Sequence, residues 1–311
     1  MKKIAAIGEV LFDNIKGKDV LGGAPFNYIY HINRLSEYYS LGFYTAVISK
    51  VGNDPRGEKV REEFTKIGLP LNLLQISDTY ETGIVNVNLA SNGSASYDIS
   101  EQVAYDYIDF SPETKEFIAS DMAFFYFGTL FQRSSHNRKT LFRCLPEENI
   151  FKQKVFFDIN LRMKYYNWEI IDSSLLEADY LKINNEELKL LKNTYFAEKN
   201  LHYDRDFIDF LIETYVLDAV ILTKAEKGAA IYFDEMSFWE MEGKICYNLK
   251  DTIGAGDAFS SIFTLGTLLG WRGEQILQRA IDFATEICKI EGAIPQDIAW
   301  YGQFKDWFSK A

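Results

Sequence analysis

A chain of 311 residues, 47% hydrophobic and 25% charged, is long and apolar enough to bury a large core. Its formal net charge of −12 argues against general attraction to nucleic acid or anionic lipid, while leaving room for a local anion site. Three dispersed cysteines, Cys144, Cys246 and Cys288, form neither a disulfide framework nor a zinc spacing, and no apolar run approaches the ~20 residues that span a bilayer, so a cytoplasmic setting without nucleic-acid or membrane partners is expected.

The chain opens on Met1-Lys2-Lys3 and an apolar run over residues 4–10. Gly8 and Glu9 interrupt that run and Asp13 follows, so it reads as a first β-strand and not a signal segment. Helical spacing covers residues 25–35, a strand covers 44–50 and a second helix 56–67. Residues 83–100 differ. An alternating stretch, then Asn92-Gly93, then a second strand-like stretch is a hairpin pattern, suited to a sheet extension or a lid over a site. Beyond it come a strand over 122–127, a helix over 134–145, and strands over 155–159 and 180–183. Helices over 185–196 and 206–216, then strands over 219–223 and 229–233, continue the alternation. The end is helical, over 257–269 and 273–291. Nearly continuous apolar strands alternating with helices predict a mostly parallel sheet covered on both faces. No repeat, low-complexity tract or linker divides the chain, so residues 1–311 are expected to form one α/β domain.

The strongest chemical signal is Asp251-Thr252-Ile253-Gly254-Ala255-Gly256-Asp257-Ala258-Phe259. Small residues run directly into an apolar helix, so the amides of Gly254, Ala255 and Gly256 can approach a ligand closely at a helix N-terminus, where unpaired donors favour an anion. Asp257, at the edge of that cluster, is placed to accept a proton from an attacking hydroxyl, or else it caps the helix. There is no Gly-x-x-x-x-Gly-Lys-Ser/Thr, and no Gly-x-Gly-x-x-Gly after the first strand, which removes the main support for P-loop and dinucleotide-binding readings. His31, His136 and His202 are scattered and suggest no zinc site or triad.

This stretch resembles the second signature, D-T-x-G-A-G-D, of the ribokinase-like (PfkB) carbohydrate kinases, and the resemblance extends over nearly the whole chain. Gly8-Glu9-Val10-Leu11-Phe12-Asp13 is similar to the family's opening strand, ending in a sugar-contacting Asp. Gly22-Gly23-Ala24-Pro25-Phe26-Asn27 resembles its sugar loop, in the form common among fructokinases. Val51-Gly52-Asn53-Asp54-Pro55-Arg56-Gly57 matches the first signature, G-x-D-x-x-G. Asp158-Ile159-Asn160-Leu161-Arg162 resembles D-x-N-x-R, and Asn184-Asn185-Glu186-Glu187 resembles N-x-x-E. Thr223-Lys224-Ala225-Glu226-Lys227-Gly228 resembles the T-x-G-x-x-G turn beside ATP, with Ala225 in place of the first glycine, so a turn demanding positive φ there is strained.

The resemblance implies a three-layer α/β/α sandwich with a small β lid, its strands inserted at about 12–20 and 83–100. It implies ATP-dependent phosphorylation of a primary hydroxyl of a small sugar, with Asp257 as base. Gly254, Ala255 and Gly256 would form the anion hole, and Asp13, Gly22, Gly23 and Asn27 would hold the sugar. Asn27 also reads as a first-turn cap, Asp13 as a plain turn residue, and the Gly52-to-Gly57 segment as a strand-to-helix turn with an Asp cap. Asn160 and Arg162 would approach the phosphates or the product, unless Arg162 pairs with Asp158. Asn184, Thr223 and Gly228 would flank ATP, with Ala284 and Cys288 leaving room for adenine or simply packing the core. Glu187 would hold Mg²⁺ through its waters, or serve with Asn184 as a helix cap. Asp251, with the carbonyls of residues 291–293, resembles a monovalent-cation (K⁺) site. D-fructose, giving fructose 6-phosphate, is the first expectation. Ribose, tagatose, 2-keto-3-deoxygluconate and a nucleoside stay open, and a non-catalytic sugar- or nucleotide-binding regulator is the rival from another class. A homodimer paired through the lid is expected by analogy.

Overall fold

Strands that are apolar on both faces need cover on both faces, and the arrangement of the chain supplies it. The computed structural model describes residues 1–15, 17–89, 95–119, 121–145, 153–199, 201, 203–233 and 237–308. In chain order the elements are β1 (Lys3–Ile7), β2 (Leu11–Ile15), β3 (Lys18–Gly22), α1 (Ala24–Tyr38), β4 (Tyr44–Gly52), α2 (Pro55–Lys66), β5 (Leu74–Ser77), β6 (Gly83–Leu89) and β7 (Ala95–Ile99). Then come α3 (Pro112–Ile118), β8 (Met122–Gly128), α4 (Ser135–Cys144), β9 (Lys154–Asp158), α5 (Trp168–Glu177), β10 (Tyr180–Asn184), α6 (Asn185–Tyr195) and α7 (Asp204–Tyr215). The chain ends with β11 (Ala219–Thr223), β12 (Ala229–Tyr232), β13 (Phe238–Met241), α8 (Ala255–Leu268), α9 (Gly273–Ile287) and the short α10 (Lys305–Phe308).

The central sheet runs β13-β12-β11-β10-β9-β8-β1-β4-β5. From β11 to β5 every pairing is parallel, and only β12 and β13 are antiparallel. Alternate residues of one strand feed two separate cores. Ala5 and Ile7 of β1 pack with Phe125, Phe157 and Leu181 beneath α3, α4, α5, α6 and α7. Ile4 and Ala6 pack with Tyr126 and Phe156 beneath α1, α2, α8 and α9. The result is a three-layer α/β/α sandwich, as the alternation of elements predicts. Among the described residues, no helix is long and apolar enough to cross a membrane.

A second, four-stranded sheet runs β3-β2-β6-β7. β2 pairs antiparallel with β3 and parallel with β6, and β6 pairs antiparallel with β7. The expected Asn92-Gly93 turn lies outside the described residues.

Several boundaries differ from the sequence reading. The first strand ends at Ile7 and not at residue 10, because Gly8 turns the chain at φ 147°. A Cβ there would lie 2.8 Å from Pro25. Asp13 consequently stands in the middle of β2, in the small sheet, opposite Val20. The last long helix ends at Ile287, four residues early, where Cys288 caps it, before Gly292 takes φ 75°. The short elements β5, β13, α3 and α5 carry no periodic signal long enough to announce them.

Candidate active site

Parallel strands deliver their carboxyl ends to one edge of the sheet, where α/β folds bind ligands. There Asp158, last in β9, sits in register with Gly128 of β8 and Lys182 of β10, and Asn184 of β10 is in register with Thr223 of β11.

The loop ahead of α8 meets that edge. Asp251 fixes it by accepting the amide of Ile253 at Oδ1 and of Gly292 at Oδ2, both at 2.9 Å. Gly254 then takes a left-handed conformation, φ 74°, as the uncapped start of α8, and a Cβ there would stand 2.4 Å from the Ala293 methyl carbon. Only glycine meets both demands. The first amides of the helix have no intrahelical acceptor. Ala255 spends its own on Thr252 O at 3.3 Å.

Asp257, on the first turn of α8, is 9% exposed. It caps none of its own helix's amides. Its Oδ2 accepts Nδ2 of Asn27 on α1 at 2.8 Å, and Oδ1 makes no hydrogen bond among the described residues. Burial, reinforced by the charge of Asp158, raises its pKa to about 6, against the pull of the Asn27 bond, Lys182 and Arg162. Asn27 is equally free of capping duty, since Gly23, at φ 110°, starts α1 with no side-chain cap. The Oδ1 of Asn27 is buried and, among the described residues, unpartnered.

Gly22 and Gly23 leave a cradle between these groups. A Cβ on Gly22 would sit 3.0 Å from Asp13 Oδ2 and 4.0 Å from Asn27 Oδ1, and one on Gly23 would collide with Glu9 O at 2.4 Å. Burial raises the Asp13 carboxyl to about 6, opposed by Arg162. Asp13, Gly22, Gly23, Asn27 and Asp257 are thus brought together. The neighbouring Gly52-to-Gly57 segment takes the turn reading: Asp54 Oδ1 accepts the amides of Arg56 and Gly57 at the start of α2.

Arg162 does not pair with Asp158. It is exposed and makes no ion pair among the described residues, while its charge reaches Glu9, Asp13 and Asp257. Asp158 is bound instead by Lys182 Nζ at 2.8 and 3.0 Å, with Tyr126 Oη and Ser260 Oγ donating at 3.0 and 3.2 Å. Burial pulls the Lys182 pKa down, but Asp158, with the charges of Asp257 and Glu187, outweighs it and the net shift is upward. That ammonium lies 3.2 Å from where a Cβ on Gly256 would stand, so a cation rests against the first turn of α8. Asn160 takes a positive φ, 37°, and its side chain makes no hydrogen bond among the described residues.

Asn184 and Glu187 form a reciprocal capping box. Asn184 Oδ1 accepts the amides of Glu186 and Glu187, while Glu187 Oε2 accepts the amide of Asn184 and Oε1 that of Leu161. In the Thr223–Gly228 turn, Ala225 does adopt positive φ, 51°, and Gly228 lies at φ 103°, where a Cβ would strike Met241 O at 2.0 Å. Lys224 is paired with Glu240. Ala284 packs against the α8–α9 core, and Cys288 caps α9 while its carbonyl accepts the Lys250 amide at 2.8 Å.

Two charged residues escaped the sequence reading. Lys182 lies inside an apolar strand run, and a lysine there must find a carboxylate. Glu9 interrupts the first apolar run and is 4% exposed, with its carboxyl raised to about 7 by burial.

The pattern of the pfkB family of carbohydrate kinases matches residues 4–299. A sugar kinase of Pyrococcus horikoshii is 28% identical over 284 residues, covering 85% of this chain and 82% of its own. The 5-dehydro-2-deoxygluconokinase of Clostridium beijerinckii is 25% identical over 276 residues, covering 85% and 77%. The crystal structure of a Vibrio cholerae fructokinase double mutant, in a form with fructose, ADP and a potassium ion bound, superposes with a TM-score of 0.75 at 22% identity over 98% of each chain.

Proposed function

The chain belongs to the pfkB family of carbohydrate kinases, and on that basis we propose that it transfers the γ-phosphoryl group of ATP to a primary hydroxyl of D-fructose, giving fructose 6-phosphate and ADP. The observation that carries this reading is the state of Asp257: one oxygen held by Asn27, the other free, beside the open amides of α8. Asp13, Gly22, Gly23 and Asn27 orient the sugar. Oδ1 of Asp257 takes the hydroxyl proton as the sugar oxygen bonds to the γ-phosphorus, and the bond from that phosphorus to the β-phosphate bridge oxygen breaks, releasing ADP. A carboxyl near pKa 6 is ionised at neutral pH yet more basic than an ordinary aspartate. The amides of Gly254 and Gly256 face the charge on the transferring group, with that of Ala255 joining them only by giving up its 3.3 Å bond to Thr252 O. Arg162 and Asn160 serve the phosphate side, and Asn184, Thr223, Gly228, Ala284 and Cys288 flank the nucleotide. The small sheet covers the sugar and excludes water.

Mg²⁺ takes hard oxygen donors and keeps most of its waters. Asn184 and Glu187 offer such oxygens at the end of β10, but each already accepts backbone amides, so they fit the ion through its waters, on the lone pairs left over. Bound there, Mg²⁺ would neutralise charge on the β- and γ-phosphates. Asp251, with the carbonyls of residues 291–293, would hold K⁺ beside the anion hole on the lone pairs left over from its bonds to the amides of Ile253 and Gly292. Fructose is favoured by the Gly-Gly-Ala-Pro-Phe-Asn loop, with tagatose, ribose and 2-keto-3-deoxygluconate as the competing substrates. A coupled ADP-release assay over these four sugars tests the assignment. Fructose should give the highest kcat/KM; turnover of another sugar with fructose at background would reject it.

A further inference from the structure

Buried polar atoms without partners are costly, about 1–3 kcal/mol each, and a cluster of them asks for a ligand. Among the described residues, four buried side-chain atoms without a hydrogen bond belong to Asn27 and to three groups on segments near the sugar cradle: Asn27 Oδ1, Glu9 Oε2, Tyr105 Oη and Arg133 Nη1. Asn27 is already placed in the site. The other three belong to segments the reading above does not use. Glu9 follows β1 and its carbonyl abuts Gly23. Tyr105 lies after the small sheet, with its ring against Gly83 of β6, where a Cβ would sit 2.5 Å away. Arg133 follows β8, its guanidinium carbon 5.0 Å from the centre of the Tyr105 ring. Glu9 feels the charges of Asp257, Arg162 and Arg133, and Tyr105 those of Arg133 and Glu9, so the three groups lie within electrostatic reach of one another and Glu9 within reach of the base.

We propose that Glu9, Tyr105 and Arg133 form a further wall of the sugar site, and that this wall selects a neutral polyhydroxylated sugar over a sugar acid or a phosphosugar. This rests on the kinase reading and deepens it. The chemistry of the unpartnered atoms fits alternating sugar hydroxyls: Arg133 Nη1 donates, Glu9 Oε2 accepts, and Tyr105 Oη does either. The charges disfavour an anion. Arg133 is already neutralised by Asp106, which accepts its Nε at 2.7 Å and its Nη2 at 2.8 Å. Lys182 is likewise taken by Asp158. Among the described residues, one cation without an ion pair, Arg162, stands against Glu9, Asp13 and Asp257. A substrate carboxylate or phosphate beside Glu9 would add negative charge to a desolvated site that already holds Asp13, Asp257 and a partly ionised Glu9, and a ligand lacking the hydroxyls would leave the wall unpaired.

Tyr105→Phe is the cleanest test, because among the described residues that hydroxyl makes no hydrogen bond that its removal would lose. KM for D-fructose, D-ribose and D-tagatose, with 2-keto-3-deoxygluconate and fructose 6-phosphate as anionic probes, is measured for wild type, Tyr105→Phe and Glu9→Gln, together with KM for ATP and Tm. The proposal expects a neutral sugar as the best substrate. Its KM should rise about 3- to 10-fold in Tyr105→Phe and about tenfold or more in Glu9→Gln. KM for ATP and Tm should hold or, for Tm, rise. Glu9→Gln should also narrow the preference for neutral over anionic sugars. A neutral sugar turned over with the same KM in both variants overturns the wall while the kinase reading stands. So does a wild-type preference for either anionic probe. Failure to phosphorylate any of the five overturns the proposal together with the reading beneath it.

Discussion

Lys182 is 7% exposed, and a buried ammonium needs a partner; Asp158 provides it at 2.8 and 3.0 Å. Removing one partner of such a pair leaves a buried charge uncompensated, at a cost of about 3–5 kcal/mol, whereas removing both is far milder. Lys182→Met should therefore depress Tm strongly, and adding Asp158→Asn should recover most of it in thermal denaturation. Activity should stay low in the double variant, because the cation beside Gly256 is gone. A double variant as unstable as the single would show that the lysine packs rather than pairs. Asp257 gives a second prediction. Its folded pKa, about 6, lies above the ordinary 3.8, and the base must be ionised to accept a proton. The profile of kcat/KM for the sugar should thus be flat above pH ~7 and fall below pH ~6 towards a slope of about tenfold per unit, more steeply if Asp13 must also ionise. A profile still flat at pH 5 would exclude the role. The residues of the signature stretches were legible in the sequence because small residues at a helix start carry their chemistry in the backbone. Lys182, Glu9, Tyr105 and Arg133 were not, since each acquires its meaning from a group distant in the chain: Asp158 is 24 residues from Lys182.

The Thr223–Gly228 turn shows how an element tolerates local strain. Ala225 sits at φ 51°, a conformation that costs an L-residue roughly 1–2 kcal/mol and costs glycine little. Ala225→Gly should stabilise the protein by about 1 kcal/mol, raising Tm by roughly 2 °C. Gly228→Ala, which would drive a Cβ into Met241 O, should lower it clearly. An unchanged or lowered Tm for Ala225→Gly would mean the turn is not strained. Expectation and structure agree here because glycine statistics at a turn are a local matter. The long apolar strands and helices were legible for the same reason, down to the identical bounds of β11. The four-residue strands β5 and β13 were not, because pairing with a neighbour, and not their own pattern, makes them strands. Likewise Asp54 and Glu187 carry residue types that suit either a ligand or a helix cap, and only the positions of the amides show the caps.

The molecule as a whole combines a three-layer body with a four-stranded sheet whose outer strand, β7, pairs among the described residues with β6 alone. An unpaired sheet edge is a natural docking strand, and we propose that two copies join through it. Sedimentation should then give a particle of about 72 kDa, twice the 35.9 kDa chain, and a species of 36 kDa at micromolar concentration would refute the dimer. The fold was legible because alternating elements prescribe a parallel sheet, and the parallel sheet prescribes where its carboxyl ends gather. Which sugar is preferred was less so, since the wall proposed for it is assembled from the loop after β1, the segment after the small sheet and the turn after β8. The account turns finally on Asp257 as the proton acceptor, and turnover of Asp257→Asn tests it most directly. The substitution keeps an oxygen for Asn27, so sugar and ATP affinities by titration should match wild type while kcat falls by at least ~10²-fold. A variant that binds both ligands and turns over at the wild-type rate would contradict the assignment.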